Sequence, residues 1–243
     1  MAEQPTAWRM AVLGWIAGAV DAVGYRLLGQ IYISNMTGNT SGIAIAITGG
    51  QLPRAIERGY ALVAFLAGVF VGTALAVERP ARPPRSPRPR DPSPRLLGAE
   101  LALVAATSAA IRALAPHGGP LAGSEWRFYV IAALAAVSMG IQNSAFMTPH
   151  HDGPYTTHIT GALTSLVHGI TRRVLGRGKP QVRQHAGLCA GFLLGGFSAM
   201  LAFDASPFAA SVLPIPVLAV LLERRIHRAR CAGGGPPPVT RSG

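Results

Sequence analysis

Residues 31–50 read IYISNMTGNTSGIAIAITGG. The stretch is as long as a helical membrane span, and its second half is apolar enough to be one. Its first half is not: Ser34, Asn35, Thr37, Asn39, Thr40 and Ser41 crowd one end. Hydroxyl and amide groups at membrane depth need partners or a wet cavity. Residues 156–174, TTHITGALTSLVHGITRRV, have the same character, with His158, Thr160, Thr164 and His168. Whether these two stretches cross a bilayer decides the architecture.

Six further apolar blocks surround them: 10–29, 58–77, 96–115, 128–148, 185–203 and 207–223. Each is about as long as a helix needs to be to cross hydrocarbon. Charged residues are 13% of the chain, half the roughly 25% usual in soluble domains. An ordinary soluble domain and a disordered chain are both excluded. The fold class is all-α, a polytopic helical membrane bundle. Residues 1–9 form an N-terminal tail and 10–223 the membrane domain. The first block lacks the basic start and cleavage site of a signal peptide, so it is expected to remain as a span. Pro214 and Pro216 should kink the start of the last block. Seven prolines in 79–95 predict an extended linker, and residues 224–243 a disordered basic tail. Cys189 lies in an apolar block and Cys231 in the tail, which excludes a disulfide scaffold.

The formal charge is +12, and 16 of the 22 Lys and Arg residues fall in 79–95, 172–183 and the tail. No aromatic residue interleaves with these arginines, so a base-stacking surface is absent and nucleic acid is not a partner. Juxtamembrane Arg clusters instead mark the cytoplasmic side of an inner-membrane protein. The C-terminus is therefore expected in the cytoplasm.

The chain resembles itself. AGAVDA (17–22) is similar to MGIQNS (139–144), MTGNTS (36–41) to ITGALT (159–164), and AGVFVG (67–72) to AGFLLG (190–195), at shifts of 122 to 123 residues. Two copies follow, about 10–115 and 128–223. Eight crossings would put the two Arg-rich loops on opposite faces, against the positive-inside rule. Six crossings, with 31–50 and 156–174 dipping in from opposite sides, put all the Arg clusters on one face. Each copy then has three crossings, so the copies are inverted, as in many transporters. Eight crossings remain the alternative.

The pattern G-x-V-D-A-x-G-Y at Gly18–Tyr25, then N-M-T-G-N-T at Asn35–Thr40 and T-x-x-T-G-A-L-T at Thr157–Thr164, resembles the YoaK family of bacterial inner-membrane proteins. The likeness covers about residues 10–223. It implies a multi-pass inner-membrane protein of about six spans, with no established activity and no catalytic residues to carry over.

Asp21 lies deep in the first block, where an acid is by default a functional candidate; a structural pairing with Arg26 is the alternative. Asn143 takes the matching place in the second copy. Thr37, Asn39, Thr40 and Thr160 complete the candidate substrate or ion site, with Thr37, Asn39 and Thr40 the expected partners of Asp21. His150, His151, Asp152 and His158 do not have the spacing of helical metal ligands, so neither metal nor cofactor is expected. Gly14/Gly18, Gly68/Gly72, Gly187/Gly191 and Gly191/Gly195 read as helix contact faces, which could also join copies in a homo-oligomer. No nucleophile–base pair can be assigned, so an enzyme is not expected. A transporter or permease for a small solute or ion ranks first, a structural or assembly protein second and an intramembrane enzyme last.

Overall fold

The computed structural model describes residues 7–76, 93–115, 120–121, 123, 125–144, 159–176 and 182–233. Within them the chain forms α1 (Ala7–Leu27), α2 (Met36–Thr48), α3 (Leu52–Ala76), α4 (Pro94–Leu114), α5 (Trp126–Ser144), α6 (Ile159–Val174), α7 (Val182–Ala205), α8 (Pro207–Val212) and α9 (Pro214–Gly233). The described residues contain no strand. Most of the linker at 79–95, the histidines at 150, 151 and 158, and the end of the tail lie outside them.

Five helical stretches are long and apolar enough to cross a membrane: α1, α3, α4, α7, and α8 with the start of α9. The 19-residue α5 is the sixth by length, about 28 Å at 1.5 Å per residue. It is also the most enclosed, with twelve buried residues, so its Ser, Gln and Asn side chains face protein rather than lipid. By contrast α2 has 13 residues and α6 has 16. At about 20 and 24 Å they fall short of a hydrocarbon core of about 30 Å.

Contacts at the helix ends decide how the short helices run. Gly29, just past α1, accepts a 2.8 Å hydrogen bond from Arg54 Nη1 at the start of α3. The chain therefore enters and leaves the α2 region at the same end of the bundle, and α2 does not cross. Leu121, ahead of α5, donates its N–H to Leu27 at the end of α1 (2.8 Å). At the other end of this pair, Gln142 near the end of α5 donates to the Leu13 carbonyl (3.0 Å). So α1 and α5 run antiparallel, the relation that the expected inverted copies would require. The start of α7 packs by Gly187 against Ala7, at the end of the bundle where α5 finishes. The end of α5 and the start of α7 thus lie at one end of the bundle, opposite to that of α2.

The helices pair across the two halves of the chain. The most extensive packing is α1 along α7, then α3 along α5, and α2 lies on α3 as α6 lies on α7. Glycines make the first two approaches possible. A Cβ on Gly18 would overlap the Phe192 carbonyl, and one on Gly191 or Gly195 the carbonyls of Ala11 or Trp15. In the second seam, Gly68 meets Val137 and Gly140 meets Phe65. The glycine pairs read as helix contact faces thus make contacts within the chain, where only backbone-to-backbone approach brings these helices close.

At the C-terminal end one boundary meets the sequence expectation, a break at Pro214, and one differs. The last apolar block is interrupted at Leu213, where Pro214 begins α9, and Ser108 Oγ donates to the Ser211 carbonyl beside the break (2.8 Å). Beyond it α9 continues to Gly233, ten residues into the segment expected to be disordered. The run LLERRIHRAR consists largely of good helix formers, and helix propensity carries it past the apolar limit.

Candidate functional site

The re-entrant segment is built from the motif residues. After Leu27 the backbone turns at Gly29 (φ 63°) and Gln30 (φ 69°), a left-handed pair that suits glycine first. The chain then passes back along α1 without helical hydrogen bonds, so its amides need other acceptors. Asp21 supplies one: its Oδ1 accepts the N–H groups of Ile33 and Ser34, both at 2.7 Å. Asn39, one turn into α2, supplies both halves of another pairing. Its Oδ1 accepts from Tyr32 N–H (3.1 Å) and its Nδ2 donates to the Tyr32 carbonyl (2.6 Å). Asn35 caps α2, accepting from Gly38 N–H. Asp21 is 4% exposed and Asn39 is 0%, so these bonds form away from water and lipid.

Glycines complete the fit. A Cβ on Gly24 would overlap the Ile33 side chain, and one on Gly38 would press on the Tyr32 ring at 2.8 Å. Tyr25 packs its ring 4.9 Å from that of Tyr32. The patterns G-x-V-D-A-x-G-Y and N-M-T-G-N-T are therefore the two walls that clasp residues 31–35. The carboxylate also lies at the start of α2, where the helix dipole favours negative charge.

The other predicted residues are dispersed. Thr37 and Thr40 are exposed, and Thr40 Oγ1 donates to its own helix at Met36 O (2.9 Å). Thr160 is exposed on α6 and its carbonyl accepts from Thr164 (2.9 Å). Ser41 and Thr171 likewise donate to carbonyls four residues back. Such back-bonding satisfies a hydroxyl without a wet cavity, which is how α2 and α6 carry so many. Asn143 is buried at the end of α5, but antiparallel pairing sets it against the first half of α1. Asp21 and Asn143 therefore do not share a site, contrary to the expectation that both belong to one substrate or ion site. Nor does Arg26 pair with Asp21. Five residues on, it points about 140° around the helix and is exposed, and the donors to Asp21 are backbone amides instead.

The sequence reading passed over Glu100 and Gln142. Glu100, in α4, is 2% exposed and its Oε1 has no hydrogen-bond partner among the described residues. Gln142 is 0% exposed; its amide nitrogen is held by Leu13 and its Oε1 lacks a donor. The signal was present, since Glu100 is an acid inside an apolar block just as Asp21 is. Between α1, α4, α5 and the α8–α9 break lies an apolar cavity of about 30 Å³, lined in part by Val20, Val104, Thr107, Ala135, Ser138 and Ser211. It has room for a water or two. No group of three or more His, Cys, Asp or Glu residues is placed to hold a metal among the described residues.

A family model described as "Protein of unknown function (DUF1275)" matches residues 10–222. The UPF0700 transmembrane protein YoaK of Bacillus subtilis (strain 168) is 28% identical over 166 residues, which is 68% of this chain and 67% of that protein. No solved structure matches. The match covers all nine helices except the end of α9 and the start of α1.

Proposed function

The chain belongs to the DUF1275 family of transmembrane proteins, which carries no assigned activity, and from that premise we propose that it is a transporter or permease for a small solute. The observation that supports this reading is the re-entrant α2. The backbone just before its capped N-terminus is held by the buried Asp21, and the segment enters and leaves at one end of the bundle. A second short helix, α6, belongs to the opposite end. Interrupted elements entering from opposite sides are the plan on which inverted-repeat transporters build midplane sites. Non-helical backbone at depth is tolerated only where protein or a cavity surrounds it. In this reading Asp21 and Asn39 hold the re-entrant loop in place, and Thr37 and Thr40 on its open side meet the solute. The reading is non-enzymatic.

The proposed setting is the inner membrane with the C-terminus in the cytoplasm. Arg9, Arg95, Arg172, Arg173, Arg183 and the arginines of α9 flank one end of the bundle, against Arg26, Arg54, Arg58, Arg112 and Arg127 at the other. This is the asymmetry of the positive-inside rule.

A structural or assembly role is the second reading. It is favoured by the full use of the Asp21 Oδ1 in holding backbone amides. The test is a solute screen by thermal shift on purified protein, followed by uptake of each stabilising solute into reconstituted vesicles, with and without a pH gradient. A bound solute stabilises the folded state, and uptake that depends on the protein supports transport. Stabilisation by no solute, with vesicles no more permeable than protein-free ones, supports the structural reading.

A further inference from the structure

We propose that Glu100 and Gln142 form a buried site for a small monovalent cation, a proton or Na⁺, in the seam between α1, α4 and α5. The two side chains belong to one place. Val104 and Ser138 line the same cavity. Glu100 is one helical turn before Val104, and Gln142 is one turn after Ser138. Because α4 and α5 run antiparallel, as the contact of Arg127 with the Leu114 carbonyl fixes, both steps lead toward the same end of the bundle, the Arg-rich one. Leu13 of α1 closes that level by holding Gln142 Nε2 at 3.0 Å.

Chemistry selects the occupant. Because Gln142 Nε2 donates to a carbonyl, the amide orientation is set and Oε1 is left as an acceptor. Glu100 Oε1 is also without a donor. Two buried acceptor oxygens facing no donor are costly as they stand, and one of them belongs to an acid within a membrane span. A proton on the carboxylate or a hard cation between the oxygens removes that cost.

No protein cation takes this role among the described residues. On α4 itself, Arg95 precedes Glu100 by five residues and Arg112 lies at the far end. On α5 and α3 the charged or phenolic groups, Arg127, Tyr129, Arg54, Glu57, Arg58 and Tyr60, belong to the opposite end. On α9, Glu223, Arg224, Arg225, His227 and Arg228 follow the apolar part of the helix, and on α1 Arg9 precedes Leu13 by a turn. The ion pairs Arg54–Glu57 and Arg127–Glu125 among the described residues do not involve Glu100.

The site does not depend on the transport reading, because binding can be read without any solute. Thermal unfolding of the full-length protein in detergent is measured in NaCl against choline chloride at equal ionic strength, at pH 6 and pH 8, for wild type and Glu100→Gln. A sodium site raises the wild-type Tm at pH 8 by about 3–5 °C for each tenfold rise in sodium above its Kd, and the variant does not respond. A proton site makes sodium ineffective, while acidification to pH 6 raises the wild-type Tm relative to the variant. Should Glu100→Gln fail to fold, wild type decides alone. A lipid-soluble carbodiimide should modify Glu100 more at pH 6 than at pH 8, with sodium protecting it if sodium binds. If neither sodium nor acid separates wild type from the variant, or if carbodiimide labelling of Glu100 responds to neither, the proposal is overturned.

Discussion

Replacing Asp21 with leucine should release the loop that it holds. Two backbone N–H groups, those of Ile33 and Ser34, lose their acceptor at 2.7 Å, and leucine offers none in its place. Each buried N–H left unsatisfied costs about 1–3 kcal/mol, so Asp21→Leu should destabilise the protein by about 2–6 kcal/mol. Asp21→Asn keeps an oxygen where Oδ1 lies and loses only the charge assistance, about half the bond strength. Its loss should be about 1–3 kcal/mol. At about 2–4 °C per kcal/mol for a chain of this size, the leucine variant should melt at least about 5 °C below wild type, and the asparagine variant in between. The assay is thermal unfolding in detergent, paired with thiol labelling of a cysteine placed at Ser34, which is 2% exposed. Labelling should be slow in the wild-type background and fast with Asp21→Leu. Equal losses for both variants would mean that the charge, not the acceptor geometry, sustains the loop. A leucine variant with unchanged melting and a protected cysteine would refute the role of Asp21 as the loop's anchor.

Two further outcomes follow from the packing. Gly195→Leu, which drives a side chain into the Trp15 carbonyl, should cost about 1–3 kcal/mol as an overpacked seam. Gly98→Ala, where a Cβ meets nothing within 4 Å, should instead stabilise by up to about 1 kcal/mol; thermal unfolding of both variants checks the contrast. Single cysteines at Gln30, Gln51 and Asp204 should label from one side of the membrane, and those at Arg95 and Arg173 from the other. Labelling of Gln30 and Gln51 from opposite sides would mean that α2 crosses.

Much of the architecture was legible because transfer into hydrocarbon is nearly a property of each residue and its window. The apolar blocks at 58–77 and 185–203 became α3 and α7, which finish within two residues of their expected ends. The polar start of 31–50 counted against a plain span for the same reason. The candidate site was legible only in part. Asp21 stood out because a charge in an apolar block is costly wherever it points, and Glu100 obeys the same rule but lies near the start of its block. Thr40 and Thr160 drew notice for their hydroxyls, yet back-bonding along the helix disposes of such groups locally, and composition does not record that.

By itself, then, the sequence determined that this is a helical membrane protein and where most of its helices lie, and it marked two segments as polar enough to leave six or eight crossings open. It also carried the motif pair that packs the re-entrant loop, without saying what the motif does. Only the tertiary structure decided that Asp21 serves the amides of Ile33 and Ser34, that Asn143 lies away from it, and that Glu100 and Gln142 are buried with oxygens that meet no donor. The reason is physical. Burial in a membrane depends on the residue, whereas a hydrogen bond such as Gly29–Arg54 or Leu13–Gln142 joins positions 25 and 129 residues apart. It leaves no local pattern, because its partners meet only once the helices have packed.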